Sequence, residues 1–122
     1  MGTYMGHIYL DVEFANVKDP SIRVKARALV DTGATYSVIP ANIAEKLGLE
    51  KIGYVEVKTA SGLERLQETD VRVKAFERER VTPALVSEKV DTPLIGVYTL
   101  EGLRLKIDPT TGKVEELPIL LY

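Results

Sequence analysis

Residues 28–40 have the sequence "ALVDTGATYSVIP". In it an ionisable residue, Asp31, follows two aliphatic residues and precedes Thr32 and Gly33. Apolar residues usually lead into a core, where an unpaired carboxylate is costly. The small hydroxyl residue and the glycine let the backbone turn sharply and donate hydrogen bonds to the acid. Taken alone, Asp-Thr-Gly favours a turn at a strand end over a catalyst, because short motifs often occur by chance.

Composition indicates one ordinary globular domain over residues 1–122 with a modest core. A net charge of -2 and a pI near 5.5 give no electrostatic reason to expect a nucleic acid or an anionic membrane as partner. The absence of cysteine excludes disulfides, thiolate metal sites and cysteine nucleophiles. No signal peptide and no apolar run of spanning length are present, so we expect a soluble, cytoplasmic protein.

Alternating apolar and polar residues predict strands through most of the chain. The first two form a hairpin that leads into the Asp31 loop. A second hairpin has Ala60-Ser61-Gly62 at its tip. The expected strands cover residues 4–14, 22–30, both sides of that tip within 54–76, 81–86, and a segment ending at Ile107.

Helix signals are few and short. Helix-forming residues after Pro40 stop at Gly48, which predicts a helix of about two turns. A second short helix or turn is expected near residues 98–101, and "ERER", 77–80, is expected to be a charged turn. A Pro-Thr-Thr-Gly turn at 109–112 precedes an apolar tail. Together the elements predict an all-β, barrel-like or sandwich domain with one or two short helices.

Elimination leaves the carboxylates as the candidate reactive groups. The sole histidine, His7, and the lack of a Gly-x-Ser-x-Gly elbow argue against a serine triad. One histidine without cysteine makes a zinc site improbable, and no phosphate-binding or calcium-binding loop is present, so we expect no metal and no cofactor. Solvent exposure in strands or turns explains the aspartates other than Asp31: Asp11, Asp19, Asp70, Asp91 and Asp108.

Three segments, in order and spacing, resemble those of the retropepsin-like (clan AA) aspartic proteases. "ALVDTGATYSVIP" resembles the active-site segment, and "TPLIGVYTLEGLRLKID", 92–108, resembles the apolar-apolar-Gly element and short helix that pack beneath it. "KTASGLE", 58–64, occupies the place of the flap, although it has one glycine where the family has a glycine-rich run. The resemblance covers about residues 8–107 and implies the acid protease fold, a closed, barrel-like, all-β single lobe.

The resemblance also implies a chemistry. Family catalysis uses two aspartates that share one proton, and this chain has a single Asp-Thr-Gly, so a homodimer with one Asp31 from each subunit is implied. The pair would activate a water to hydrolyse a peptide or protein substrate. The implied site residues are catalytic Asp31; loop support by Thr32, Gly33, Ala34 and Ser37; flap contacts by Thr59, Ala60, Ser61, Gly62 and Leu63; and the second element Leu94, Ile95 and Gly96.

Several alternatives stay open at this point. The chain is either an endopeptidase or a catalytically inactive peptide-binding or dimerisation module of the same fold. A processing enzyme active only on a folded partner is a third interpretation. The apolar tail, with Leu117, Ile119, Leu120, Leu121 and Tyr122, interleaves at a dimer sheet or forms an intrachain edge strand. Candidate subsite residues, each equally suited to the core, are Ile39, Val57, Leu94 and Ile95.

Overall fold

The computed structural model describes residues 6–119 and Leu121. Within them lie nine strands and two short helices. The strands are β1 (Tyr9–Ala15), β2 (Arg23–Val30), β3 (Ser37–Pro40), β4 (Gly53–Thr59), β5 (Gly62–Ala75), β6 (Arg78–Ser87), β7 (Leu94–Ile95), β8 (Leu105–Asp108) and β9 (Lys113–Glu116). The helices are α1 (Ala41–Leu47) and α2 (Val97–Gly102). In the part of the chain so described, neither helix has the length and apolar character needed to span a membrane.

Six of these strands close into a ring. Their order is β1, β2, β7, β3, β6 and β5, and a short antiparallel pairing of β1 with β5 completes the circle. β4 pairs only with β5 among the described strands, so the β4–β5 hairpin projects from the ring. This arrangement confirms the expected all-β class and fits a single retropepsin-like lobe.

The core fills the ring from alternate positions of its strands. In β1, Leu10, Val12 and Phe14 are buried, whereas Asp11 on the opposite face is exposed. This is the period-2 pattern of a half-buried strand. Across the antiparallel β1–β2 pair, Phe14 lies opposite Val24. The predicted first hairpin is therefore confirmed, although β1 begins at Tyr9 and residues 4 and 5 lie outside the described residues.

Helix α1 begins and ends as its sequence indicates. Gly48 caps its C-terminus in the left-handed conformation with φ 63°, which glycine adopts without steric cost. The side chain of Asn16, in the β1–β2 connection, donates a 2.8 Å hydrogen bond to the Leu47 carbonyl. Helix α2 includes the segment where a second short helix was expected, residues 98–101.

The predicted charged turn over 77–80 is confirmed for Glu77 and wrong for residues 78–80. The chain reverses one step earlier, at Phe76 with φ 55°, and β6 already begins at Arg78. Charged residues are stable in this strand because β2 and β5 supply counter-charges. Glu79 accepts from Arg23 at 2.9 Å and lies 3.6 Å from Arg72. Cross-strand ion pairs of this kind replace the solvent exposure that a turn would have provided.

The C-terminal region forms a separate two-stranded sheet of β8 and β9 around the expected turn at 109–112. Arg78 holds this hairpin on the ring by donating to the carbonyls of Leu103, Arg104 and Leu117 at 3.1, 2.7 and 2.9 Å. Beyond it, residues 117–119 form no strand, so the edge-strand interpretation is wrong for them. Leu120 and Tyr122 of the tail lie outside the described residues.

Candidate active site

Asp31 lies directly after β2, where its backbone and its carboxylate are both fixed. Its N–H donates to the Ile95 carbonyl at 2.9 Å, and its own carbonyl accepts from Ala34 N–H at 3.1 Å. The Oδ1 atom accepts from Gly33 N–H at 3.0 Å. Asp31 is half-buried, so the carboxylate is oriented by the loop and still reaches the surface. Because the Asp31 carboxylate is only half-buried and accepts a hydrogen bond, it does not carry the full cost of a buried, unpaired charge.

Gly33 lies against the carboxylate that it helps to hold. A Cβ atom at this position would lie 3.2 Å from Asp31 Oδ1, closer than most real Cβ contacts. A side chain here would push on the acid or weaken its hydrogen bond. Glycine thus permits the close approach that fixes the carboxylate.

The second apolar-Gly element lies directly beneath the Asp31 loop. β7 runs parallel to β2, with Leu94 opposite Leu29, and also pairs with β3 on its other side. Val97 N–H donates to the Ala34 carbonyl at 2.8 Å. A Cβ on Gly96 would lie 2.6 Å from backbone atoms of Tyr36 and 2.8 Å from the Ala34 carbonyl oxygen. Only glycine at position 96 lets the element approach the loop this closely.

A buried hydroxyl cluster joins the two elements. Ser37 Oγ accepts from Gly96 N–H at 3.0 Å and lies 2.6 Å from Thr99 Oγ1. Thr99 Oγ1 in turn lies 3.1 Å from Thr82 Oγ1 in β6. All three hydroxyl side chains are buried, and each has a partner. Ser37, at the start of β3, is therefore joined to the Gly96 element and to α2. The sequence did not single out Thr82 or Thr99, because the only signal of either is a threonine in an apolar stretch.

A cavity of ≈ 650 Å³ opens above Asp31. The Asp31 loop forms its floor, aliphatic residues of β3, β6 and β7 form a wall, and the β4–β5 hairpin covers it. The lining includes Asp31, Gly33, Ala34, Thr35 and Tyr36; Val38, Leu85, Ser87, Lys89, Val90 and Leu94; and Val57, Lys58, Thr59, Glu64 and Leu66. The structure thus gathers at one cleft residues that are up to about sixty positions apart in sequence.

The predicted flap lies at one end of this cleft. Thr59 lines the cavity, but the tip residues Ala60, Ser61, Gly62 and Leu63 are exposed and lie outside its lining. Gly62 has φ 118°, a backbone conformation that is strained for any residue with a side chain. This explains why the turn contains a glycine. The hairpin residues that do cover the cavity lie deeper in β4 and β5 than the sequence indicated.

The four candidate subsite residues divide evenly. Val57 and Leu94 line the cavity. Ile39 and Ile95 are completely buried in the core, so their assignment as subsite candidates is wrong. They lie one position along their strands from Val38 and Leu94, and alternation turns their side chains to the opposite face.

Charged groups are sparse in the cleft. Besides Asp31 it contains Glu64, Lys58 and Lys89, and the last of these forms a 3.0 Å ion pair with Glu64. Thr32, next to Asp31, is exposed and lies outside the lining. Among residues 6–119 and Leu121, no three His, Cys, Asp or Glu side chains are grouped so as to hold a metal ion.

Three proteases are among the solved structures that resemble this chain. The EIAV protease complexed with the inhibitor HBY-793 superposes with a TM-score of 0.63 at 20% identity, over 84% of this chain and 93% of that one. A retropepsin-like aspartic protease from Rickettsia conorii gives 0.60 at 24% identity, over 84% and 77%. The simian foamy virus (mac) protease gives 0.56 at 22% identity, over 76% and 91%. At these identities the likeness establishes the fold.

Comparison with curated proteins finds no match. A family model described as "gag-polyprotein putative aspartyl protease" matches residues 23–102, more than half of the chain. The matched range contains the Asp31 loop, the β4–β5 hairpin and the Gly96 element that packs beneath the loop. The chain therefore belongs to the gag-polyprotein aspartyl protease family, and it has the retropepsin-like fold.

Proposed function

We propose that this protein is an aspartic endopeptidase whose active site forms between two copies of the chain, each contributing Asp31. The observation that carries the proposal is the placement of Asp31, oriented by Gly33 and the Ile95 carbonyl, at the floor of the ≈ 650 Å³ cavity. An acid held at the base of a covered cleft is suited to chemistry on a bound substrate.

A second copy supplies what one lobe lacks. Water activation by aspartates needs one carboxylate as general base and a protonated neighbour as general acid, and the chain has one Asp-Thr-Gly. A two-fold axis beside Asp31 would bring two identical acids together. Exposed Thr32 supports this placement, because its hydroxyl is accessible to the matching loop of a partner.

In the proposed reaction, the ionised Asp31 takes a proton from water as the water attacks the scissile carbonyl carbon. The protonated Asp31 donates a hydrogen bond to the carbonyl oxygen, and a tetrahedral intermediate forms without a covalent bond to the enzyme. On collapse, the Asp31 that took the proton from water donates it to the leaving nitrogen, the C–N bond breaks, and the amine and carboxylic acid products leave. The shared proton belongs to the pair, so the two apparent pKa values describe both acids together.

The β4–β5 hairpin is suited to hold the substrate backbone. It projects from the ring, and Val57 and Thr59 line the cleft from above. An extended peptide between hairpin and floor would bind by strand addition, with side chains alternating between the two walls. Movement of the hairpin would admit the peptide and exclude bulk water on closing.

The test compares the wild-type chain with Asp31→Asn on a peptide library at mildly acidic pH. We expect cleavage by the wild type only, because asparagine cannot act as the general base. Mixing the two with a ninefold excess of Asp31→Asn, after subunit exchange, lowers activity per wild-type chain to about a tenth, since most wild-type chains then have an inactive partner.

Two results contradict the proposal. Equal cleavage by Asp31→Asn shows that Asp31 is not the catalyst. A chain that stays monomeric at micromolar concentration, even with a peptide-like transition-state inhibitor, rules out the shared pair. Cleavage unaffected by excess Asp31→Asn has the same consequence for the dimer.

A further inference from the structure

Glu64 is an acid on the cavity-facing side of the β4–β5 hairpin. In the antiparallel register it lies opposite Val57, and Leu66 lies opposite Val55. Val57, Glu64 and Leu66 all line the cleft. Only 26% of the Glu64 side chain is exposed, and its neighbours on this face are aliphatic. A carboxylate so placed needs a cation beside it.

The cation in this structure is Lys89, whose Nζ lies 3.0 Å from Glu64 Oε1. The two partners are held very differently. Glu64 lies within a paired strand, whereas Lys89 lies in the bend after β6 and its side chain is 72% exposed. Lys89 can leave the pair and return to water at little cost, because it is already largely solvated. Glu64 would then require another cation.

We propose that Glu64 makes the cleft select substrates with a basic side chain, arginine or lysine, whose charged group replaces Lys89. This inference rests on the proposed peptidase function. Entry of a basic side chain exchanges one ion pair for another and leaves no charge unpaired. An acidic side chain that drew Lys89 away would leave the Glu64 carboxylate without a cation, which is unfavourable. A neutral side chain has no charge–charge attraction to Glu64.

A second cavity indicates where a long basic side chain would go. A space of ≈ 730 Å³ beside α1 shares Glu64, Leu66 and Lys89 with the cleft, so the ion pair lies between the two spaces. Apart from that pair, the charged residues of this second cavity are two acids, Glu45 and Glu88, and one base, Arg65. Its acidic excess suits a guanidinium or ammonium group that passes Glu64.

The experiment uses a peptide that the full-length wild-type chain cleaves in an Asp31-dependent manner. Each position near the scissile bond is replaced in turn by arginine and by citrulline, its neutral analogue. We expect one position at which arginine raises kcat/KM about fivefold over citrulline, the size of one partly exposed ion pair. Glu64→Gln lowers that ratio to about one. Lys89→Gln raises it above the wild-type value, because the competing cation is gone.

Glu56→Gln is the matched control. Glu56 is an exposed acid in β4, outside both cavities, and its removal leaves the ratio unchanged. Asp31-dependent cleavage with a ratio near one at every position overturns this inference alone. A ratio that persists in Glu64→Gln also overturns it. If no peptide is cleaved in an Asp31-dependent manner, the proposed function itself fails, and the inference fails with it.

Discussion

Replacing Gly96 by alanine tests whether the close packing beneath the Asp31 loop supports the fold. The added Cβ would lie 2.6 Å from the carbonyl carbon and oxygen of Tyr36 and 2.8 Å from the Ala34 oxygen. These are backbone atoms, so no side chain can rotate away to relieve the contact. The φ of Gly96 is -95°, which alanine adopts freely, so the steric contact is the only source of strain.

The expected cost follows from two contributions. Overpacking of a tight contact costs about 1–3 kcal/mol. Separation of the two segments also lengthens the hydrogen bonds that Val97 N–H and Tyr98 N–H donate to the loop, now 2.8 and 3.1 Å. Each is worth about 0.5–1.5 kcal/mol. We expect Gly96→Ala to lower the free energy of unfolding by about 2–6 kcal/mol, a large share of the total for a small domain.

Urea denaturation at one fixed protein concentration measures this cost, since dimerisation would otherwise shift the midpoint. The matched control is Gly102→Ala at the end of α2, where a Cβ has no neighbour within 4 Å. We expect the control to stay within about 0.5 kcal/mol of wild type. If Gly96→Ala is no less stable than Gly102→Ala, the tight packing beneath the loop is not a source of stability.

Two further predictions concern buried hydroxyls and pH. Ser37→Ala removes the acceptor of the buried Gly96 N–H and should lower the free energy of unfolding, measured in urea, by about 1–3 kcal/mol. Ser61→Ala, at an exposed position, should leave it nearly unchanged. Equal effects of the two substitutions would contradict a stabilising role for the Ser37 hydroxyl. The Arg23 guanidinium donates a hydrogen bond to the Glu79 carboxylate and lowers its pKa below the ordinary 4.5. The ion pair therefore stabilises the folded state fully above the pKa of Glu79 in the unfolded chain. This stabilisation is lost as the pH falls through the lower pKa of the folded state. Between about pH 6 and pH 3, the free energy of unfolding of Glu79→Gln should therefore fall less than that of wild type. The exposed control Glu77→Gln should show the same fall with pH as wild type. If the three proteins lose the same free energy of unfolding over this range, the ion pair does not cause the pH dependence.

Local signals in the sequence were sufficient for much of the fold. Alternation predicted the β1–β2 hairpin, and the helix-forming residues between Pro40 and Gly48 predicted α1 and its end. These succeeded because neighbouring residues determine strand alternation and helix capping. The predicted turn is wrong at residues 78–80 for the opposite reason, since its charges are satisfied by Arg23 and Arg72 from distant parts of the chain.

In the candidate site, too, some features follow from neighbouring residues and others from contacts between distant parts of the chain. The sequence by itself determined that Asp31 lies in a tight loop after an apolar strand, because Thr32 and Gly33 follow it directly. The family resemblance implied that the Gly96 element packs beneath this loop, and the tertiary structure shows how close that contact is. The antiparallel pairing of β5 with β6 brings Glu64 to Lys89, a contact that no local pattern indicates.

The same reason explains the mistaken subsite residues. Period-2 alternation divides a strand into two faces, but in a ring with an apolar cleft on one side and an apolar core on the other, both faces carry aliphatic residues. Ile39 faces the core and Val38 the cleft, although both are aliphatic. The sequence therefore determined the strands and the acid, and the closure of the ring decided which side chains meet at the cleft.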